Sequence, residues 1–156
     1  PLKPIDGYDL AEWQKVQDVN ATAAVALAMA CVPSMKRKGW GQIINICSVF
    51  TFLGGRRSSA YAATKHGIAG LTKAYCDELA EHNIQVNAIA PGYYATEITA
   101  ATRSDPELNE AVLDHIPAGR WGETLDLMGA VVFLASRASD YVSGHILAVD
   151  GGYLVR

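Results

Sequence analysis

The chain has 156 residues, a formal net charge of −3, half of its residues hydrophobic and 19% of them charged. That balance suits one folded domain rather than disorder. It argues against a nucleic-acid surface, because the basic clusters Lys36-Arg37-Lys38 and Arg56-Arg57 are too small to track a phosphate backbone. The longest apolar stretch, residues 21–32, is shorter than the ~20 residues a bilayer span needs. The opening residues are not expected to be a signal peptide. Cys31, Cys47 and Cys76 lack CxxC spacing and read as reduced thiols of a cytoplasmic protein. His66, His82, His115 and His145 show no HxxxH or HExxH spacing, so no metal site is expected.

Residues 1–9 read as a loop, with Tyr8-Asp9 capping a short helix through Trp13 and Val16. A long alanine-rich helix is expected to begin at or near Asn20 and to run to about Lys38. Its small residues Ala23, Ala24, Ala26 and Ala28 permit close packing, and three cations followed by Gly39 mark its end. Residues 42–47 form an isoleucine-rich run that reads as a buried parallel strand ending on Ser48. A loop with Gly54-Gly55 and Arg56-Arg57 then leads into a helix over about 59–82, with Ile68, Leu71, Tyr75 and Leu79 on one face. Gly67 and Gly70 are expected where the sheet or another helix comes close, and Asn83 as a left-handed stop.

The next strand, 84–90, ends at Pro91-Gly92, where the glycine would let the backbone approach a ligand. Within 97–122, Asp105 and Pro106 open a helix whose stripe is Leu108, Ala111 and Val112. It reads either as a mobile lid over substrate or as a plain surface helix. A helix over 124–136 would turn Leu127, Met128, Val131 and Leu134 inward, and Ile146–Val149 is the last strand, closed by Asp150-Gly151-Gly152. Strands alternating with helices give an α/β fold with a parallel sheet joined by right-handed crossovers.

Chemistry concentrates between Ser48 and Lys65. Tyr61 and Lys65, four apart, share one helix face. A cation close to a phenol favours the phenolate, which suits a proton donor and acceptor for alcohol–carbonyl interconversion. Ser48 stands thirteen residues before Tyr61, at the carboxyl end of a strand, where ligands bind in open α/β sheets. A hydrolase serine would sit in GxSxG, whereas Ser48 lies in ICSVF.

Six motifs occur in order: DVN at Asp18–Asn20, IINICS at 43–48, YAATK at 61–65, NAIAPGYYAT at 87–96, IPAGRWG at 116–122 and VDGG at 149–152. Together they resemble the short-chain dehydrogenase/reductase family over essentially all of these residues. Within it the chain is most similar to the sugar-acid members, the gluconate 5-dehydrogenase and 2-dehydro-3-deoxy-gluconate dehydrogenase group, with 3-oxoacyl carrier-protein reductases next. The resemblance implies a Rossmann-like doubly wound parallel sheet, of which residues 1–156 would be the C-terminal part of a single domain.

It further implies NAD or NADP as cofactor and Asn20, Ser48, Tyr61 and Lys65 as catalytic residues. Tyr61 would move the proton, Lys65 would grip the ribose hydroxyls, Ser48 would hold the reacting oxygen and Asn20 would hold a water in the relay. Around the cofactor it implies Tyr61, Lys65, Pro91, Gly92, Tyr94 and Thr96, with the backbone after Pro91-Gly92 on the nicotinamide carboxamide and Thr96 on the carboxamide or a phosphate. Ser48 and Tyr61 would also touch substrate. Arg57, where similar sugar-acid enzymes carry an arginine, would clamp the substrate carboxylate, or else form a solvated charge pair with Arg56. A homo-oligomer, dimer or tetramer, would form through the 59–82 helix and the alanine-rich one.

The family's TGxxxGxG turn and NNAG motif, which would lie earlier, are not among these residues. Half of a twisted sheet would expose an edge and an apolar face, so residues before Pro1 are expected, and among them the one that reads the ribose 2′ position. A competing reading is a non-catalytic oligomerisation module. A subunit mass distinctly above 16.7 kDa favours the enzyme, and equality favours the module.

Overall fold

Strand β2 (Ile84–Pro91) is the middle of a three-stranded parallel sheet, with β1 (Gly41–Ile46) on one side and β3 (Ile146–Val149) on the other. The computed structural model describes residues 3–156, so the first two residues of the expected opening loop lie outside the described residues. Gly41 pairs with Ile84 and Ile46 with Ile89. Ala88 pairs with Ile146 and Pro91 with Val149. The β-branched runs recognised in the sequence are therefore strands, each displaced by at most one residue from its expected bounds.

Strand alternation decides which residues meet which layer. Ile84, Val86, Ala88 and Ala90 are buried on one face of β2. There they meet α3 (Ser59–Leu79) through Ile68, Ala69 and Leu79. Helix α2 (Ala23–Lys38) adds Val32 and Met35 to the same layer, and Cys47 and Ile43 continue it from the β1 side. On the opposite face Gln85, Asn87 and Ile89 of β2 are buried too, but the cover thins towards β1. Of the four residues expected to turn inward from 124–136, only Leu134 of α6 (Met128–Leu134) is fully buried, while Met128 and Val131 are exposed. Ile46, Val132 and Phe133 are exposed as well, and no strand pairs with the outer edge of β1 among the described residues. Among the described residues the β1 side thus presents an open edge and exposed apolar side chains.

Two helix starts read from the sequence are in place. Asp9 accepts a hydrogen bond from the Ala11 N–H at the head of α1 (Leu10–Gln17). Asp105 accepts from Glu107 and Leu108 at the head of α5 (Pro106–His115). Gly39 and Asn83 take the left-handed conformation at φ 64° and 56°, closing α2 and the 3-10 turn after α3.

Three expectations are corrected. Asn20 does not start a helix: α1 and α2 are one continuous helical run joined by a π turn at Asp18–Thr22. The run Leu10–Lys38 has 29 residues and a window of mean hydropathy 1.3, so it is long and apolar enough to cross a membrane by length and composition, unlike the stretch 21–32. Gly67 and Gly70 face open space, with no heavy atom within 4 Å of where a Cβ would stand, so neither the sheet nor another helix of this chain approaches them. On α5, Leu108 and Ala111 are exposed and only Val112 of the expected stripe is half-buried. That helix is held as well by Asn109, whose side-chain oxygen accepts from the Trp121 indole at 2.7 Å, and by the ring of His115, tilted against that of Tyr153 with centroids 4.3 Å apart.

Strand β3 is sewn to β2 by a side chain. Asn87, fully buried, donates to the Val142 carbonyl at 2.7 Å and accepts from the His145 N–H at 3.0 Å. Replacing it with Ala leaves both backbone groups unpaired. Asn87→Ala is expected to cost about 2–4 kcal/mol, read as a lower urea midpoint. At the other end of β3, the Tyr94 hydroxyl donates to the Val149 carbonyl at 2.8 Å. Burial, then the carboxylates of Asp126 and Asp150, push this phenol up to about 12. The folded chain therefore holds the proton more tightly than the unfolded one. The resulting stability is complete below pH ~10 and is lost as pH rises towards 12. Urea melts across pH 9–12 should show this decline, and it should be shallower in Tyr94→Phe.

Candidate active site

Ser48 follows β1, whose pairing continues one residue further through a hydrogen bond from the Cys47 N–H to Ile89. Its backbone is extended, and the chain at once turns into a 3-10 helix, Val49–Thr51. The Ser48 Oγ accepts from the Phe50 N–H at 3.2 Å. A hydroxyl has one proton to give and two lone pairs, so an acceptor role inside the turn leaves the proton available for an outside oxygen.

Tyr61 and Lys65 lie on the first turns of α3 and are one turn apart, as their spacing requires. The Lys65 Nζ is 5.4 Å from the centroid of the Tyr61 ring. It donates to the Ile46 carbonyl at 2.7 Å. The side chain is buried, and that burial lowers its pKa, with the neighbouring Cys47 acting weakly the other way. Tyr61 is half-exposed, its ring edge-on to Phe50 at 5.9 Å. Phe50, which donates to the Ser48 side chain, thus also touches the tyrosine.

Asn20 reaches the same cluster from the π turn. Its Nδ2 donates to Thr64 Oγ1 at 3.2 Å, and that hydroxyl donates to the Tyr61 carbonyl at 2.7 Å. A groove along α2 and β1 is lined by Asn20, Ile46 and Lys65, and a neighbouring cleft between α1 and α3 by Asn20, Tyr8 and Tyr61. Ser48 lines neither groove and joins the others through Phe50 and Thr51. The four residues singled out in the sequence are therefore gathered at one end of the sheet from three separate segments.

In the loop after β2, a Cβ on Gly92 would stand 2.7 Å from the Cα of Asp150, so the missing side chain lets the loop pass close to this backbone. Pro91 ends the strand opposite Val149. Tyr94 is buried with its hydroxyl on Val149, and it packs so tightly on Gly122 that a Cβ there would meet the ring at 2.8 Å. Thr96 caps the following turn, with Thr99 answering in a reciprocal pair. The Arg103 guanidinium donates to the Thr96 carbonyl at 3.0 Å. Arg57 is exposed with a left-handed backbone, φ 63°, and its carbonyl accepts from the Lys3 N–H.

The sequence reading passed over Thr51, Thr64, Thr99 and Arg103, all of which hold a singled-out residue in place. Thr64 stood inside YAATK and was there to be weighed. Thr51 and Thr99 carry no local signal, because a threonine in a turn is ordinary.

A model of the family described as Enoyl-(Acyl carrier protein) reductase matches residues 2–154. The chain is 63% identical over 155 residues to the uncharacterized oxidoreductase YgcW of Escherichia coli, covering 99% of this chain and 59% of that protein. It is 54% identical over 144 residues to the 2-dehydro-3-deoxy-D-gluconate 5-dehydrogenase of Bacillus subtilis, covering 92% and 57% respectively. The crystal structure of a gluconate 5-dehydrogenase from Burkholderia cenocepacia, in complex with NADP and tartrate, matches with a TM-score of 0.97 at 40% identity, covering 100% of this chain and 61% of that one. The chain thus spans less than two thirds of the length of these relatives. A family match over nearly every residue, on a parallel sheet whose strand end gathers Ser48, Tyr61 and Lys65, makes the chain a member of the short-chain dehydrogenase/reductase family.

Proposed function

We propose that the protein is an NAD(P)-dependent oxidoreductase that interconverts a secondary alcohol and a ketone on a sugar acid of the gluconate type, and that this chain is the C-terminal part of its single domain. The carrying observation is the buried Lys65 ammonium beside the half-exposed Tyr61 ring, one turn apart at a strand end. The names of the relatives supply the substrate class.

The residues fit a nicotinamide dinucleotide. An ammonium has three protons, and that of Lys65 spends one on Ile46. A buried charge gains from further partners, and ribose hydroxyls would provide them. Pro91, Gly92, Tyr94 and Thr96 would hold the nicotinamide end, with the backbone as the contacting part because the Tyr94 hydroxyl is already engaged. The cofactor, when bound, supplies or accepts the hydride. The chain does the rest. Tyr61 gives or takes the proton at the substrate oxygen. Lys65 stabilises the negative charge that develops on the phenol oxygen. Ser48 donates its free proton to the same substrate oxygen, and Asn20 holds a water that relays protons to solvent. Arg57 would meet the carboxylate.

The protein is further read as a cytoplasmic homo-oligomer, a dimer or tetramer. The open side of Gly67 and Gly70 and the exposed Leu27 and Met29 of α2 support the contact, and the free cysteines support the compartment.

The test uses the full-length protein with gluconate and 2-deoxy-keto-gluconate and both cofactors. Tyr61→Phe should lower kcat by about 10²-fold or more, since positioned acid–base groups contribute that much, with the fold retained by circular dichroism. Arg57→Ala should raise KM for the sugar acid about tenfold, the worth of one charged hydrogen bond. An unchanged KM would assign the carboxylate elsewhere. Absence of turnover by the unaltered protein, or full turnover by Tyr61→Phe, would overturn the reading.

A further inference from the structure

Thr51 lies three residues beyond Ser48, is buried, and is not among the catalytic residues proposed above. Its hydroxyl nevertheless joins two of the proposed catalytic residues. Oγ1 accepts the Ser48 N–H at 3.2 Å and donates to the Lys65 carbonyl at 3.2 Å. The Thr51 N–H returns to the Ser48 carbonyl at 2.9 Å, closing a small ring around the serine. The Cys47 thiol approaches the same Lys65 carbonyl at 4.0 Å. The strand end and the helix carrying Tyr61 are therefore clasped at the backbone of the residues that act, with one hydroxyl using its proton on the helix and a lone pair on the strand.

We propose that Thr51 is a positioning residue, which fixes the Ser48 hydroxyl relative to the Tyr61–Lys65 turn through its own side-chain oxygen. The inference rests on the alcohol–ketone reading of the site. Ser48 itself makes no hydrogen bond to Tyr61 or Lys65, so its placement depends on what holds its backbone. Removing the hydroxyl frees the buried Ser48 N–H, and the turn then rotates to find another acceptor. The serine proton, aimed at one substrate oxygen, moves with it. A displacement of about 1 Å in such a group costs up to about a hundredfold in rate.

The experiment compares Thr51→Val and Thr51→Ser in the full-length protein, with Thr51→Ala as a second variant lacking the hydroxyl. Thr51→Val should lower kcat for the sugar acid about tenfold or more, leave KM for substrate and cofactor within about twofold, and speed hydrogen exchange at the Ser48 amide. Thr51→Ser should restore most of kcat and the slow exchange. Thr51→Ala should follow Thr51→Val in kcat, which keeps the test available if the valine variant folds poorly. A loss of melting temperature with kcat unchanged would make Thr51 merely structural and overturn the inference, as would a serine variant as slow as the valine one. Both outcomes need an active unaltered protein. Absence of turnover there overturns the alcohol–ketone reading, and the positioning role falls with it, even if Ser48 exchange responds as expected.

Discussion

A lysine ammonium held out of water must find its solvation in the protein, or it loses its proton. Lys65 shows both sides of that constraint. Burial lowers its pKa, while the Ile46 carbonyl and the face of the Tyr61 ring supply part of what water would have given. Neither partner is an anion, so the charge stays available to stabilise whatever negative charge appears beside it. The carbonyl belongs to the last residue of β1, on its unpaired edge, and the ring belongs to the same helix as the lysine. The sheet and the helix must therefore be docked for the ammonium to be placed at all. Ile68, Ala69 and Leu79 against Val86, Ala88 and Ala90 do that docking.

Polar side chains then convert a docked helix into a located one. Asn45 donates to Thr72 at 2.9 Å between β1 and the middle of α3. Thr51 ties the strand end to Lys65, and Thr64 ties Asn20 to Tyr61. Apolar contacts alone tolerate small slides, whereas a buried hydroxyl with both a donor and an acceptor satisfied has one good position. The π turn at Asp18–Thr22 belongs to the same logic. Asn20 bonds Thr64 of α3 from within this turn, the kind of π turn that often marks functional sites.

Strands and most helix ends were legible in the sequence because their causes are local. Isoleucine-rich runs, Asp9 and Asp105 as caps, and Gly39 and Asn83 as stops each act through their own backbone. The Tyr61–Lys65 pair was legible because helix periodicity alone puts the two on one face. What could not be read depends on partners far along the chain. Asn20 looked like a helix start, since asparagine commonly bonds its own backbone, but its partner is Thr64, forty-four residues away. Gly92 is tied to Asp150, fifty-eight residues away, whose Cα lies 2.7 Å from where a Cβ on the glycine would stand. Met128 and Val131 follow a helical stripe faithfully and still face outward, because burial requires a covering layer as well as a period.

The same reasoning bears on the long helical run. Composition alone admits Leu10–Lys38 as a membrane span, yet its contacts give it another role. Val32 and Met35 pack with Ile84 and Val86, Ala28 is buried, and Asn20 bonds to α3 across the groove. A span surrounded by lipid would forfeit each of these. Leu27 lines the groove beside β1 and Met29 is exposed, while on α3 Gly67 and Gly70 face open space. Each glycine costs about 1 kcal/mol relative to alanine within a helix, and among the described residues nothing packs within 4 Å of where its Cβ would stand. Two helices with small residues on one open side can approach a second copy closely. Such packing would offset the cost of the glycines.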